Sequence, residues 1–567
     1  DLQSEMHRWC RDAGWPEQAG WWRRDLSAGL LQALRRCTRV GGDRRDRRDH
    51  FRERVDPMSD AAPETVQQPD AITKLREKLR EVSLVQHAVT VLEWDQETHM
   101  PPGGAESRAA ALGELVGIKH RRAQDPALGE CIERAEEVAT DSGDADLQSL
   151  VREVRYDYDQ SVRIPAALAT QIAETTSQAL VAWRSARETD DFPLFEPHLA
   201  KQIRLWEQYA DCLQDGEKTR YDILMNLYER EITSERFEQI CQQVVPGLRD
   251  IIDRASANPT PRPAFMQGPW DTDKQLSFAE EVATELGYDF ERGGIDFTAH
   301  PFCTSPSAPH DVRITTRVST DEFTSNLYGV IHEAGHAMYE QGLDPAWEHT
   351  PLCESISLGI HESQSRFWEN EIGRSESFWS HFLPKMRQYF PSQLDGVTPL
   401  AMAAAVNPVR PSLIRVEADE VTYGLHVVLR FELEQGLFDG SITTSDLPGL
   451  WREKMQQYLG VEPDTDSDGV LQDIHWSMGT FGYFPTYLLG SLYSAQFYQA
   501  IAEQVDIEAE VSAGRFGAIL EWLRTRVHRL GRRRMPLELL EDATGQTLDP
   551  TVMIASLDRK VEMVHGV

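Results

Sequence analysis

The stretch GVIHEAGHAMYEQ, residues 329–341, places two histidines four residues apart, with a glutamate directly after the first. Residues i and i+4 lie on the same face of an α-helix, so His332 and His336 can bind one metal ion. Glu333 lies at the edge of that face, where it can accept a proton from a zinc-activated water. The stretch therefore predicts a zinc-hydrolase helix. The alternative is a pair of buried helix histidines without a metal.

The flanking sequence supports a helix around these residues. Ser319 and Glu322 form an S-x-x-E capping-box pattern at the predicted start, and Gly342 and Pro345 mark the end. Apolar residues at helical spacing form a stripe between these limits: Phe323, Leu327, Val330, Ile331, Ala334 and Met338. Gly335 costs the helix about 1 kcal/mol relative to Ala, and close packing against a neighbour would explain why it is tolerated.

A strand pattern precedes this helix. In DVRITTRVS, residues 311–319, apolar or β-branched side chains alternate with polar ones. A short edge strand here could bind an extended peptide by strand addition. The same pattern is equally typical of a structural hairpin strand.

Most of the remaining chain has apolar residues at three- and four-residue spacing, as in ITKLREKLREVSLVQHAVTVLEWD (72–95) and VTYGLHVVLRFELEQGLF (421–438). This periodicity predicts a mainly α-helical protein.

A third metal ligand is needed, and a second predicted helix, LGIHESQSRFWENEIG (358–373), follows the first. Glu362 lies 26 residues after His336, which is enough for a turn and a returning antiparallel helix. Spacing alone does not choose it over four other candidates: Glu340, Glu354, His361 and Glu369.

Charge and composition restrict the partners and the compartment. The net charge of -34 argues against nucleic acid or an anionic membrane as a partner. The acidic, lysine-poor composition favours a halophile's protein working in high salt, with an ordinary acidic protein as the alternative. Seven scattered cysteines without a CxxC pair indicate a reducing compartment, and no apolar run is long enough to span a membrane. These features predict a cytoplasmic protein.

The N-terminal segment differs from the body of the chain. Residues 1–57 contain 13 Arg and no Lys against 10 acidic residues. We expect this segment to be non-native upstream translation ahead of a start at Met58, with a disordered basic arm as the alternative. A polar tail, 58–70, then precedes one catalytic domain, 71–567.

HEAGH and six further motifs resemble, in type and in order along the chain, those of the M32 family of metallocarboxypeptidases, the carboxypeptidase Taq type. Besides HEAGH (332–336), they are WDQETHMPPGG (94–104), HPF (300–302), DVRIT (311–315), HESQ (361–364), IRVEAD (414–419) and GVLQDIHW (469–476). The resemblance implies a single helical unit, split by a deep active-site groove, with a small β-sheet beside the HExxH helix. It also implies a homodimer that removes C-terminal residues from peptides with broad specificity.

The resemblance also implies residue roles. His332, His336 and Glu362 would bind Zn(II), or Co(II), and Glu333 would be the general base. His475 and Tyr483 resemble the family's candidates for stabilising the oxyanion, although simple packing would also account for Tyr483.

Peptide substrates with a free C-terminus require a carboxylate-binding group, and the planar fork of arginine suits this role. Arg415 is the first candidate and Arg313 the second, unless each is a structural ion pair with Asp419 or Asp311. His300 and Gln472, in the HPF and GVLQDIHW motifs, are further candidates for binding substrate.

Two other functions remain compatible with these residues. One is a related helical zinc oligopeptidase or dipeptidase that cuts internally. The other is a non-catalytic scaffold with a structural zinc, which would not need the glutamate of HExxH.

Overall fold

The computed structural model describes residues 70–216 and 218–566, which form a mainly α-helical protein. Residues 1–57 lie outside the described part, and of the predicted tail only Asp70 falls within it, as the first residue of a helix. The buried apolar side chains of the described residues form one contiguous core. None of the described helices combines the length and apolar character needed to cross a membrane.

The helices before the sheet carry the first part of that core. They are α1 (Asp70–Thr98), α2 (Ala105–Ala123), α3 (Pro126–Ser142), α4 (Ala145–Arg163), α5 (Ala166–Thr189), α6 (Phe192–Leu213), α7 (Arg220–Met225), α8 (Ser234–Ala257) and α9 (Thr272–Leu286).

The helices after the sheet include both predicted metal-binding segments. They are α10 (Thr324–Gly342), α11 (Leu358–Arg366), α12 (Glu376–Tyr389), α13 (Pro399–Val406), α14 (Glu420–Asp439), α15 (Leu447–Leu459), α16 (Pro485–Ala502), α17 (Ile507–Ser512), α18 (Gly517–Arg526), α19 (Pro536–Thr544) and α20 (Pro550–His565). A π-helical segment, Phe367–Ile372, directly follows α11.

A three-stranded sheet lies between these two groups of helices in the chain. Its strands are β1 (Ile295–Phe297), β2 (Cys303–Ser307) and β3 (Asp311–Thr316), in the order β1-β3-β2. β1 pairs with β3 in parallel, and β2 pairs with β3 antiparallel. Because α10 packs on β2 and β3, the sheet lies beside the HExxH helix, as predicted.

The predicted strand 311–319 is shorter and more central than its sequence pattern indicated. It ends at Thr316, and it pairs on both sides, so the prediction of an edge strand open to an added peptide is wrong. The chain leaves the sheet because the amide of Asn326, on α10, donates to the carbonyl of Arg317 (3.2 Å) and to Thr316 Oγ1 (3.0 Å).

The start of α10 also differs from the prediction. The helix begins at Thr324, preceded by Phe323, and has no side-chain cap, so the Ser319–Glu322 capping box is wrong. Ser319 lies too far upstream, and its hydroxyl accepts a hydrogen bond from the backbone N–H of Asp321 (3.1 Å). The apolar stripe is confirmed, since all six of its side chains are buried: Phe323, Leu327, Val330, Ile331, Ala334 and Met338.

Candidate metal centre

Two histidines of α10 and one glutamate of α11 turn their side chains toward a common point. The Nε2 atoms of His332 and His336 lie 3.6 and 3.4 Å from Glu362 Oε2. The three donor atoms lie within 4.8 Å of one another. Among residues 70–216 and 218–566, this is the one cluster of His, Cys, Asp or Glu side chains with such spacing.

The opposite ring nitrogens of both histidines are held by hydrogen bonds. His332 Nδ1 lies 2.9 Å from Glu369 Oε2, and His336 Nδ1 lies 3.1 Å from the carbonyl oxygen of His361. With each Nδ1 donating, each Nε2 keeps its lone pair for a metal ion. The His361 ring in turn contacts Glu340 through Nε2 (2.8 Å).

The other four ligand candidates lie outside this cluster of three donor atoms. Glu369 and His361 support the histidines from behind, and Glu340 supports His361. Glu354 instead pairs with Arg532 (3.1 Å).

Arginines compensate the buried carboxylates of the site. Arg366 Nε donates to Glu362 Oε1 (2.7 Å), and Arg374 donates to Glu369 Oε1 (2.8 Å). Burial favours the neutral acid at Glu362, but Arg366, His332 and His336 together outweigh it and hold the pKa of that carboxyl well below its usual range. Glu362 therefore remains an anionic donor at neutral pH, which suits it to a divalent cation.

The Glu333 carboxyl has a different environment, although it is next to His332 in the chain. It is buried, and burial raises its pKa to about 7, with His332 opposing the shift and Glu362 adding to it. A carboxyl with a pKa near neutrality can both accept and return a proton.

Two glycines allow other helices to approach α11 closely. A Cβ on Gly335 would lie 2.6 Å from the carbonyl oxygen of Gln364 and 2.7 Å from Ser365 Cα, so α10 and α11 are in backbone contact there. A Cβ on Gly490, in α16, would lie 2.5 Å from Glu362 Cγ. The close packing expected at Gly335 is confirmed, and its neighbour is the helix that carries Glu362.

The second part of the site is the segment 469–484, which contains GVLQDIHW. Its Asp473 accepts hydrogen bonds from Arg415 Nε (3.0 Å) and Arg430 Nε (2.6 Å). Gln472 Oε1 accepts from the backbone N–H of Arg415 (2.9 Å) and from Arg430 Nη2 (2.8 Å). A network of buried ionic and polar groups thus fixes the segment to Arg415, in the turn before α14, and to Arg430 within α14.

The structure brings His475 and Tyr483 together in this segment. Their rings lie 5.3 Å apart, and His475 Nε2 lies 3.2 Å from the hydroxyl of Tyr487. Burial, followed by the charge of Arg415, lowers the pKa of His475 to about 3, so its imidazole is neutral. Burial and then the charge of Glu362 raise the pKa of Tyr483 to about 12.

The arginine and histidine candidates for substrate binding occupy unlike positions. Arg415 is 4% exposed; its partner is Asp473 rather than Asp419, which caps α14 instead. Arg313 forms a two-bond pair with Asp311 (both 2.7 Å). His300 is exposed between β1 and β2, and no described contact joins it to the three metal-ligand candidates.

Several supporting residues were not identified from the sequence. The i,i+4 spacing of Glu362 and Arg366 could have indicated their pairing. Arg430 and Glu434 gave no comparable indication, because their partners Asp473, Trp476 and Gly482 lie 42 to 48 residues away in sequence.

Comparisons with known proteins show what this chain is similar to. The family model described as Carboxypeptidase Taq (M32) metallopeptidase matches residues 74–561. The chain is 40% identical over 509 residues to thermostable carboxypeptidase 1 of Thermus thermophilus, covering 88% of this chain and 99% of that relative. It is 36% identical over 489 residues to carboxypeptidase 1 of Bacillus subtilis, covering 86% and 97%. A crystal structure of an M32 carboxypeptidase from Deinococcus radiodurans R1 matches with a TM-score of 0.85 and 39% identity, covering 88% of this chain and 100% of that one.

Proposed function

Because the chain belongs to the M32 family of metallocarboxypeptidases, we propose that it is a zinc-dependent enzyme that releases single residues from the free C-terminus of peptides with broad specificity. The observation that carries the zinc assignment is the convergence of His332 Nε2, His336 Nε2 and Glu362 Oε2 within 4.8 Å. Two imidazole nitrogens and one carboxylate oxygen are a common donor set of catalytic zinc, and they also fit Co(II).

A bound ion of this kind would supply Lewis-acid polarisation of the scissile carbonyl and would increase the acidity of water. The chain's own residues then have three tasks: to move the proton, to stabilise the oxyanion and to bind the terminal carboxylate. We assign the proton to Glu333, which accepts it from the attacking water and returns it to the leaving amine. Its buried position beside His332 and its pKa of about 7 support this role.

We assign oxyanion stabilisation to His475 and Tyr483. A neutral imidazole and a protonated phenol are both hydrogen-bond donors to a developing negative charge. The low pKa of His475 and the high pKa of Tyr483 support these protonation states at neutral pH.

We assign the terminal carboxylate to Arg415. Its Nε and Nη1 are used by Asp473 and Tyr423, while Nη2 has no hydrogen-bond acceptor among the described residues. The fork of Arg313 is occupied by Asp311, which supports the structural role for that residue. The side chain of Gln472 supports Arg415 by accepting a hydrogen bond from the backbone N–H of Arg415. We propose His300 as an outer contact with the peptide.

We further propose a cytoplasmic homodimer adapted to high salt. The net charge of -34 supports the salt adaptation, and the five cysteines in the described part of the chain are all free, as in a reducing compartment. The homodimer rests on the family resemblance.

One digestion experiment tests the proposed activity. A decapeptide with a free C-terminus and its C-terminally amidated form would be incubated with the protein at low and high salt and followed by mass spectrometry. We expect stepwise loss of single residues from the free acid, little cleavage of the amide, loss of activity with a chelator and recovery with zinc. Internal fragments would indicate an oligopeptidase, and activity that survives metal removal would contradict the metal assignment.

Two matched variants locate the carboxylate site in the same assay, since Arg415 and Arg313 each pair with an aspartate. Arg415→Ala removes a buried charge that would pair with the carboxylate of the substrate. We therefore expect kcat/KM on the free-acid peptide to fall by roughly 100-fold relative to wild type. We expect Arg313→Ala to remain within about 10-fold of wild type, since its pair lies on the partly exposed sheet. The reverse order would assign the terminal carboxylate to Arg313.

A further inference from the structure

A buried carboxylate in α14 has no role in the reaction proposed above. Glu434 is completely buried, and its three hydrogen-bond donors are all neutral groups. Burial raises its pKa to about 7 in spite of these donors. Such a group costs stability unless all of its hydrogen bonds are made, so an apolar side chain would be the simpler solution for a core.

Two of the three donors come from the segment 469–484. Trp476 Nε1 donates to Oε1 of Glu434 (2.8 Å), and the backbone N–H of Gly482 donates to Oε2 (2.9 Å). Trp476 directly follows His475, and Gly482 directly precedes Tyr483. One carboxylate therefore holds the chain at the two points next to the proposed oxyanion donors.

Glu434 and Gly482 also contact α7. The hydroxyl of Tyr221, in α7, donates to Glu434 Oε2 (2.9 Å). Gly482 has φ of +83°, and a Cβ there would lie 2.7 Å from the carbonyl carbon of Leu224. The segment therefore packs closely against α7 at Gly482.

From this arrangement we propose that Glu434 is a positioning residue for catalysis. It fixes the ends of the segment 476–482 so that the His475 imidazole and the Tyr483 phenol face the reacting carbonyl. The inference rests on the proposed function, because it acts through those two side chains. A rigid supporting group is what such donors need, since a displacement of about 1 Å can lower a rate roughly 100-fold.

The test compares two glutamates of the same helix. Glu434→Gln retains the shape of the side chain, but an amide group cannot accept all three hydrogen bonds. Glu432→Gln is the matched control, because Glu432 also accepts a tyrosine hydroxyl (Tyr458, 2.6 Å), and this tyrosine and its second partner, Lys454, are in α15 and not in the segment. On a blocked dipeptide with a free C-terminus, we expect Glu434→Gln to lower kcat by about 10-fold to 100-fold, with KM within about 2-fold and full metal content. Glu432→Gln should match wild type.

Three results would overturn the inference. One is a wild-type kcat in Glu434→Gln; another is an equal loss in Glu432→Gln, which would indicate a general effect on α14. The third is a loss of metal in Glu434→Gln that accounts for the lower rate.

A double-variant cycle separates this inference from the proposed function. Removing an oxyanion donor with Tyr483→Phe should lower kcat by roughly 100-fold. If Glu434 acts through Tyr483, the double variant loses less than the product of the two single losses, whereas a full product overturns the inference. A wild-type rate in Tyr483→Phe contradicts the proposed role of that tyrosine instead, and the cycle is then made with His475→Gln.

A milder variant keeps the test valid if Glu434→Gln does not fold. Trp476→Phe removes only the donor to Oε1 and keeps an aromatic ring against Trp451. We expect the same pattern with a smaller effect: lower kcat, unchanged KM and unchanged metal content. A wild-type kcat in this folded variant would overturn the inference.

Discussion

The two halves of the proposed site, the ligand helices α10 and α11 and the segment 469–484, are held in place in different ways. The ligand helices touch through their backbones, and Gly335 and Gly490 remove the side chains that would separate them from their neighbours. The segment 469–484 contains no helix or strand. Buried ionic and polar groups hold it in place: Asp473 with two arginines, and Glu434 with three neutral donors.

This difference follows from the backbone. A helix satisfies its own N–H and C=O groups, so close packing is enough to fix the relative positions of two helices. An irregular segment must satisfy these groups elsewhere, and a buried carboxylate can accept several donors at once. The candidate metal ligands should therefore be sensitive mainly to side-chain volume, with one buried acceptor, Glu229, at the start of α11. The proposed oxyanion donors should be sensitive mainly to the loss of an acceptor.

Among these substitutions, we expect the largest effect on kcat from Glu333→Gln, in α10. Glu333→Gln should keep its metal, because the three ligands and their supporting contacts are unchanged. Without a base, kcat should fall roughly 1,000-fold. Metal analysis together with kcat on a free-acid peptide measures both quantities. Activity near that of wild type would show that the proton goes to another group.

The helix side was also the part that sequence could predict. His332, His336 and the apolar stripe obey the helical period, so their common face followed from spacing alone. Glu362 did not follow from spacing, because the length of a connection does not fix which side chain of the returning helix meets the first one. The family resemblance selected it, and Glu369 and His361 lie behind the histidines.

The predictions that failed depended on contacts distant in sequence. The strand at 311–319 was predicted at full length, with an edge strand and a structural hairpin strand as open alternatives; it ends at Thr316, pairs antiparallel with β2, and has β1 as a second neighbour. Asp419 is close to Arg415 in the chain, yet Asp473 is its partner, 58 residues away. Local pattern carries no information about such pairs, and the same applies to Glu434.

The next substitution tests whether side-chain volume controls the packing of α10 against α11. Gly335→Ala places a Cβ against the backbone of α11 and should lower the free energy of unfolding by about 2 kcal/mol. It should also weaken metal binding, since α10 and α11 carry the ligands. Denaturant unfolding and competition with a metal chelator measure the two effects.

Gly329→Ala is the control on the same helix. The nearest atom to its added Cβ is Thr316 Oγ1, at 4.0 Å, so the substitution should gain up to about 1 kcal/mol of helix propensity. Equal stability and equal metal affinity in the two alanine variants would contradict the packing argument.

The smallest effect compares two buried glutamates that support opposite halves of the site. Glu229 accepts from the N–H of Gly359 (2.9 Å), at the start of α11, and from the hydroxyl of Tyr493 (2.9 Å), so it resembles Glu434 in its donors. Burial raises the pKa of each carboxyl to about 7, from an ordinary value of 4.5. A raised carboxyl pKa stabilises the folded protein at low pH, and this contribution is lost as pH rises from about 4.5 to 7.

Glu229→Gln and Glu434→Gln should therefore each flatten the decline in stability between pH 5 and 7 by about 1.4 kcal/mol per pH unit, because the amide does not titrate. Thermal or denaturant unfolding across this range measures the slope. The functional effects should separate: Glu229→Gln should weaken metal binding through α11, and Glu434→Gln should lower kcat with metal retained. If both variants lost metal, or both lost kcat at full metal content, the two halves of the site would not be supported independently. Equal slopes with separate functional losses would show that similar buried carboxylates serve ligand geometry on one side and oxyanion geometry on the other.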